Sequence, residues 1–196
     1  MVTVIKRNTR IPTKQTCSSQ TASDNQTSVL TSIFEGERAM AKDNYFLGEF
    51  LVKGFPAKPR GEIKFEDTFE IDENGILHVS SVEKSTGKQN SITITKYKGH
   101  LSEEEAKLML AEAEKFKQED KKERSRVAAM NALLDCIYST KRKLEKEEVK
   151  QKISGKNRKK LLAKCEEMIK WTDTEKQATK EEYERKRKQF ESECSL

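Results

Sequence analysis

The spacing of apolar residues along the chain changes near residue 100. Before this point, short apolar runs occur at residues 29–34, 46–52, 63–71 and 76–82, and in most of them apolar and polar residues alternate. Alternation of this kind predicts β-strands that bury one face. The turn-forming sequence at residues 72–75 separates two of the runs and predicts a hairpin. We therefore predict an antiparallel β unit with roughly seven strands over residues 1–100.

Two further segments complete the predicted β unit, and one residue conflicts with it. A strand is predicted from Val2 to about Asn8, and another, rich in Ser and Thr, over residues 13–21. Asp67 shares the side of its strand with the apolar residues Phe65 and Phe69. A buried carboxylate is costly unless it is protonated, paired or tilted outward, so the alternative is an edge strand with a partly wet face.

Beyond residue 101 the pattern is helical. Ser102 followed by Glu105 is a capping box, and neither Pro nor Gly interrupts the chain from Ser102 to about Tyr138. A second capping box is formed by Thr179 and Glu182. We predict a long helix and a small helical bundle over residues 101–196, and therefore an α+β fold. The bundle would bury narrow stripes of apolar residues, namely Met109, Ala113, Phe116, Val127, Met130, Leu134, Ile137, Leu144, Leu161, Leu162, Cys165, Met168, Ile169, Tyr183, Phe190 and Cys194.

The charge pattern disfavours nucleic acid and membranes as partners. The chain is 37% charged with a net charge of +6, but basic and acidic residues are interleaved along the helical half, as on solvated helix faces. Basic clusters at residues 156–160 and 185–188 are the only signal for nucleic-acid binding. No apolar run is long enough to span a bilayer, and residues 1–10 lack the apolar segment of a signal peptide. We expect a cytoplasmic or nuclear protein.

Candidate chemistry for catalysis or metal binding is sparse. The cysteines, Cys17, Cys136, Cys165 and Cys194, form no Cys-x-x-Cys pair, and the chain has only two histidines, so no metal site is predicted. Cysteines scattered in this way are typical of a reducing compartment, and Cys165 and Cys194 on apolar helix faces are predicted to be buried thiols. No Gly-rich phosphate loop or nucleophile motif is present, which favours a binding protein over an enzyme.

Six motifs occur in a fixed order along the chain. They are Arg10-Ile11-Pro12-Thr13-Lys14, Ser23-Asp24-Asn25-Gln26, Glu35-Gly36-Glu37-Arg38-Ala39-Met40, Pro59-Arg60-Gly61, Asn74-Gly75-Ile76-Leu77-His78-Val79-Ser80 and Lys84-Ser85-Thr86-Gly87-Lys88. Together they resemble the C-terminal substrate-binding domain of the 70-kDa heat-shock protein chaperones over essentially the whole chain. Lys164-Cys165-Glu166, with Trp171 downstream, is similar to the cytosolic members.

The resemblance implies a two-layer β-sandwich that holds an extended peptide beneath a helical lid. Val29 would line the central apolar pocket, although an ordinary inward-facing sandwich residue is the alternative. Ala22 would form one side of an arch over the peptide backbone, and Arg60 would latch the lid. Leu134 stands at the lid position that pairs with this arginine, and Asp135 is the neighbouring acidic residue. The implied peptide-binding set is Ser19, Thr21, Ala22, Gln26, Val29, Leu30 and Thr31, with Ser19 replacing a pocket aromatic residue.

Departures from the family pattern lead to two functional hypotheses. By resemblance, Met1 falls within the second strand of the sandwich, so the first strand and a Gly-rich loop would be absent. ATP and Mg²⁺ would be bound by an upstream domain of full-length relatives, so neither enzymatic activity nor a cofactor is expected of this chain. The first hypothesis is a chaperone module that holds apolar segments of unfolded polypeptides, with J-domain co-chaperones as further partners. The second is a degenerate, truncated relative that self-associates through an open sheet edge.

Overall fold

The computed structural model describes residues 1–95 and 102–194, and the chain divides into two compact units between Lys117 and Gln118. The predicted boundary between residues 100 and 101 lies outside the described residues. Strands followed by helices confirm the predicted α+β class. The elements are β1 (Thr13–Gln20), β2 (Ser28–Glu35), a 3₁₀ turn (Ala41–Asp43), β3 (Tyr45–Lys53), β4 (Lys64–Ile71), β5 (Leu77–Glu83), β6 (Gln89–Ile94), α1 (Glu103–Lys115), α2 (Lys117–Glu145), α3 (Glu147–Lys152), α4 (Gly155–Thr174) and α5 (Lys180–Glu193).

The described strands form two antiparallel sheets that share one core. β1, β4, β5 and β6 form a four-stranded sheet in that order, and β2 pairs with β3 in a two-stranded sheet. The side chains on the inner faces of the two sheets pack together, with Ile33, Phe50 and Val52 from one sheet and Phe65 and Val79 from the other fully or almost fully buried. The sheets are also joined beside β6, where Asn90 Nδ2 donates to the Leu51 carbonyl at 2.9 Å.

The strand predicted at the start of the chain is wrong. The structure has no strand before Thr13, and Val2 is 80% exposed. Asn8 adopts a positive φ of 61°, within a turn in which the Thr9 amide donates to the Lys6 carbonyl. Alternating β-branched residues favour an extended chain, but a strand also needs a neighbour for its backbone groups, and none of the described strands pairs with this segment. The described residues therefore contain six strands rather than the predicted seven or so.

Asp67 is not on an edge strand. β4 lies between β1 and β5, and Asp67 is only 7% exposed on the inner face of the sheet. The interpretation of a partly wet edge strand is therefore wrong, because the residue parity that places Phe65 in the core also places Asp67 there. An acidic side chain has been accommodated near the centre of a sheet.

The hairpin between β5 and β6 is built around a second buried acid. Glu83, 1% exposed, accepts hydrogen bonds from the backbone amides and the hydroxyls of Ser85 and Thr86. Burial alone would raise the pKa of Glu83, but these hydrogen bonds outweigh it and lower the pKa to about 2. The Glu83 carboxylate thereby provides hydrogen-bond partners for the amides and hydroxyls of the turn.

Helix α1 belongs to the first unit and contacts the loop between β2 and β3. Ser102 and Glu105 form the predicted capping box at its start. A Cβ added at Gly36, whose φ is +145°, would lie 2.8 Å from the Met109 side chain, so the helix approaches the loop closely. The Arg38 guanidinium lies 4.5 Å from the centre of the Phe116 ring. A cation over an aromatic ring is favourable, so this pair helps to hold the end of α1 in place.

The absence of Pro and Gly from Ser102 to about Tyr138 does not make the helix continuous there. α1 ends at Lys115, Phe116 caps it with ψ near 8°, and α2 begins at Lys117. No Pro or Gly marks this break. The contact between Arg38 and the Phe116 ring is tertiary, and the local sequence therefore carries no signal for it.

The second unit is a small helical bundle. α2, α4 and α5 bury one continuous apolar cluster that includes Leu133, Ile137 and Phe190. Thr179 and Glu182 form the predicted capping box of α5. Cys165 and Cys194 are buried free thiols, as predicted. Burial raises both thiol pKa values, that of Cys165 to about 11, so neither is an activated nucleophile.

The loop that joins α4 to α5 is fastened to the bundle by two side chains. Tyr183 donates its hydroxyl to the Glu175 carbonyl at 2.8 Å, and its ring meets the edge of Trp171. Arg126, on α2, donates to the Lys176 carbonyl and pairs with Glu123 one turn earlier. These contacts satisfy carbonyls that follow the end of α4, where the helix itself cannot.

We predict that Glu83→Gln destabilises the β unit at neutral pH. It should also make the free energy of unfolding less dependent on pH under acidic conditions. The folded pKa of Glu83, about 2, is below the ordinary value of 4.5, so its stabilisation is full above pH 4.5 and is lost as the pH falls toward 2. At neutral pH the loss in the free energy of unfolding should be at most about 3 kcal/mol. Urea unfolding of the wild type and the variant, followed by circular dichroism between pH 2 and pH 7, measures the difference.

Glu73→Gln is the matched control, because Glu73 is exposed in the other hairpin turn of the same sheet. It should leave both the stability and its pH dependence unchanged. Equal acid profiles for the wild type and Glu83→Gln would contradict the assigned role of the Glu83 carboxylate.

Candidate functional site

The loop between β1 and β2 is organised by Gln26. Its side-chain oxygen accepts from the Ala22 amide at 2.9 Å and the Ser23 amide at 3.3 Å, and its nitrogen donates to the Ser28 carbonyl at 2.8 Å. These bonds hold a tight loop in which Ala22 is exposed at the surface. Gln26 therefore shapes the loop through its own hydrogen bonds, and Ala22 is presented for contact with another molecule.

Thr21 and Arg60 join this loop to the segment before β4. Thr21 is 1% exposed, and the Gly61 amide donates to its hydroxyl at 3.0 Å. The Arg60 amide donates to Asp24 Oδ1 at 2.9 Å, while the Arg60 side chain is half-buried. The structure thus places Thr21 in the interior, where it supports the loop, and places Arg60 beside it in the first unit.

Three residues of the predicted site face the interior between the sheets, and one faces away. Ser19 on β1 and Val29 and Thr31 on β2 are half-buried on the inner faces, and Val29 packs against the core. Leu30 lies on the opposite face of β2 and is 56% exposed. Neighbouring residues in a strand point to opposite sides, so Val29 and Leu30 cannot line the same pocket.

The inner face of the four-stranded sheet is incompletely covered along β1. β1 and β2 each have a single neighbour among the described strands, and they lie at the two free ends of the paired sheets. On β1, the inward-facing Gln15 is exposed, and Cys17 and Ser19 are only half-buried. The inner face along β1 and the free edge of β2 are therefore the parts of the β unit that no described strand covers, and these two features define the candidate site.

A polar row crosses the floor of this site. Register places Cys17 opposite Asp67, Asp67 opposite Ser81, and Ser81 opposite Asn90, so the row runs over all four strands. Ser81 is 1% exposed, and among the described residues neither its Oγ nor Asp67 Oδ1 has a hydrogen-bond partner. Burial and the nearby Asp67 carboxylate raise the pKa of the Cys17 thiol. The thiol is therefore not activated, and the row supplies hydrogen-bond acceptors rather than a nucleophile.

The predicted latch stays a prediction. Arg60 lies in the first unit, and Asp135 is exposed on α2 in the second. Within the described ranges, no group of three or more His, Cys, Asp or Glu side chains is arranged to hold a metal ion. In the same part of the chain, no helix has the length and apolar character needed to cross a membrane.

Sequence reasoning missed the residues that shape the loop between β2 and β3. Asn44 accepts from the Arg38 amide at 3.0 Å and donates to the Met40 carbonyl at 2.7 Å, which closes the loop on itself. The motif at residues 35–40 places Gly36 and Arg38 against α1 and the Phe116 that caps it. Ser81 was also missed, because a Ser in a strand carries no signal until cross-strand register places it opposite Asp67.

The protein is of the α+β class. Two antiparallel sheets pack face to face as a β-sandwich, and a helical unit follows them in the sequence. Comparison with known proteins agrees with this class and identifies the family. The family model described as Hsp70 protein matches residues 1–195. The chain therefore belongs to the Hsp70 family.

Relatives from several organisms show the same relation. A heat shock 70 kDa protein of Neurospora crassa is 48% identical over 98% of this chain and 30% of its own length. One from Penicillium citrinum is 50% identical over 98% of the chain and 38% of its own length. One from Schistosoma japonicum is 50% identical over 81% of the chain and 80% of its own length. The chain spans only about a third of the length of the first two relatives.

We predict that Asp67→Val stabilises the β unit. The substitution removes a buried acceptor that has no donor, so the free energy of unfolding should rise by about 1–3 kcal/mol. Urea unfolding measures the change. Glu66→Val, on the exposed face of the same strand, is the control and should change stability by less than about 0.5 kcal/mol. A less stable Asp67→Val protein would mean that the carboxyl group has a partner in solution.

Proposed function

We propose that this chain is the substrate-binding part of an Hsp70-type chaperone and that it binds extended, apolar segments of unfolded polypeptides. The observations that carry the proposal are the free edge of β2 and the incompletely covered inner face of β1. An extended segment needs both a sheet edge for its backbone and a recess for its side chains, and the β unit offers both.

Binding would follow the physics of strand addition. The backbone of the incoming segment pairs with the free groups of β2, which makes recognition largely independent of sequence. Alternate side chains of an extended segment point to one side, so every second residue would face the space between the sheets. Val29 and Thr31 would line this space from β2, and Ser19 would line it from β1.

The remaining parts of the site would control access. We propose that Ala22, exposed on the loop that Gln26 organises, contacts the backbone of the bound segment. The second unit would act as a lid, with Arg60 and Asp135 as its latch. ATP and Mg²⁺ are assigned to a part of the longer relatives that this chain does not cover, and no residue here is proposed to hold them. J-domain co-chaperones would act on the longer proteins, and we propose a cytoplasmic location.

Peptide binding tests the proposal directly. A fluorescein-labelled heptapeptide of alternating Leu and Thr is titrated with the purified chain, and anisotropy is measured. A labelled peptide of alternating Lys and Glu has the same length and serves as the control. Saturable binding of the apolar peptide alone is expected. If a folded protein, verified by circular dichroism, binds neither peptide, the proposed function is wrong.

We predict that Val29→Phe weakens peptide binding at least tenfold. The larger ring would fill the space between β2 and β1 that the peptide side chain enters, at a stability cost of about 1–3 kcal/mol from overpacking. Val82→Phe is the matched control, because Val82 is also half-buried but lies on the outer face of β5. Equal dissociation constants for Val29→Phe and the wild type would remove Val29 from the site.

The same free edge supports a second candidate function, self-association without peptide binding. The edge of β2 could pair with β2 of another copy, and exposed Leu30 would be covered in such a pair. Light scattering over a wide concentration range should then show oligomers that Leu30→Lys dissociates. Leu108→Lys is the control, since Leu108 is exposed on α1. A strict monomer at all concentrations would exclude this candidate.

A further inference from the structure

The floor of the candidate site contains a buried acid with one carboxylate oxygen that has no hydrogen-bond partner in the described part of the chain. Asp67 is 7% exposed, and its Oδ1 accepts no hydrogen bond from any described residue. Ser81, its direct cross-strand neighbour, is 1% exposed and its hydroxyl is likewise without a partner. Buried polar atoms are nearly always paired in folded proteins, so two adjacent exceptions suggest that they are satisfied by something outside the chain.

The location of the pair shows which side a ligand would come from. Asp67 lies opposite Cys17, one inward position along β1 from Ser19, which itself lies opposite Phe65. Cys17 is half-buried, and its thiol is close enough to Asp67 for the carboxylate to raise the pKa of the thiol. The acid therefore borders the incompletely covered strip of β1. Phe65 and Phe69 lie on the same face of β4 as Asp67, one inward position to either side of it.

We propose that Asp67 makes this chain select extended polypeptide segments with a basic side chain, Arg or Lys, at the position that reaches the floor of the site. This inference rests on the proposed function and names its substrate class. The apolar stem of an Arg or Lys suits the walls formed by Phe65 and Phe69, and its charged head supplies donors to Asp67 and Ser81. Arg in addition presents a planar fork that matches a carboxylate with two parallel hydrogen bonds.

A Leu side chain at the same position would leave the acid unpaired. A site with buried polar groups discriminates strongly against a ligand that lacks the matching donor, because those groups lose access to water without gaining a partner. The net charge of the whole chain, +6, opposes the binding of basic peptides in general. A preference for Arg would therefore have to arise from a local acid and not from the overall field.

A set of peptides that differ only at the central residue tests the inference. Four fluorescein-labelled heptapeptides with identical apolar flanks carry Arg, Lys, Leu or Glu at the centre, and their dissociation constants are measured by anisotropy. For the wild type, the Arg and Lys peptides should bind at least tenfold more tightly than the Leu peptide, and the Glu peptide should bind most weakly. In Asp67→Val the order of affinities should reverse, so that the Leu peptide binds more tightly than the Arg peptide.

Two further variants strengthen the test. Asp67→Asn preserves the size of the side chain and should reduce the preference for Arg, so it decides the question even if Asp67→Val fails to fold. Glu70→Gln is the matched control, because Glu70 lies on the same strand but faces solvent, and it should leave the preference unchanged.

The possible outcomes separate this inference from the function on which it rests. Tighter binding of Leu than of Arg by the wild type would overturn the role of Asp67 and leave peptide binding intact. An unchanged preference for Arg in Asp67→Asn would also overturn it. The absence of binding to all four peptides by a folded wild type would overturn the proposed function itself.

Discussion

The packing of β2 and β3 on the four-stranded sheet is the interaction on which the β unit depends. A two-stranded sheet is marginal by itself in water, so its inner face must be buried against a partner. That face consists of Ile33, Phe50 and Val52. It packs against Phe65 and Val79 of the four-stranded sheet. The packing orients every residue of β2, because once Ile33 faces the core, Val29 and Thr31 must face inward and Leu30 outward.

The same packing leaves β1 and β2 each with an edge that pairs with no described strand. β3 lies beside β6, so β1 and the free edge of β2 are left at the two ends of the arrangement. Edges of this kind pair readily with other extended chains. In this protein β1 lies directly beside Asp67, and Asp67 Oδ1 and Ser81 Oγ have no hydrogen-bond partner among the described residues. Buried polar groups that lower stability are often retained where they serve binding, which is consistent with the proposed role of this acid.

The helical unit is stabilised by helix caps and loop hydrogen bonds in addition to its apolar core. Its apolar stripes are narrow and its surface is highly charged. Hydrogen bonds at the helix ends and in the loops therefore contribute to its stability. Thr179 caps α5, and Tyr183 and Arg126 donate to carbonyls in the loop that precedes it. Surface ion pairs such as Lys180 with Glu184 contribute only a few tenths of a kcal/mol each, roughly, and cannot replace these bonds. A stable helical unit of this composition therefore relies on its caps and its single buried cluster.

Much of the local structure was determined by the sequence alone. Residue alternation predicted β2 to β5, and the two capping boxes marked the starts of α1 and α5, because strand faces and helix caps depend on residues close together in the chain. The motifs that resemble the Hsp70 family also predicted membership of that family, which the family comparison confirms.

Other features were decided only by the tertiary structure. The break at Phe116 accompanies its contact with Arg38, and the absence of a strand at Val2 reflects the lack of a pairing partner among the described strands. The position of Asp67 opposite Ser81 follows from sheet register. Each of these depends on residues far apart in sequence. The candidate site is of the same kind, because its uncovered inner face and its unpaired acid exist only once two sheets have packed together. Local sequence patterns therefore predicted the elements, but long-range packing decided which of their faces remain available for binding.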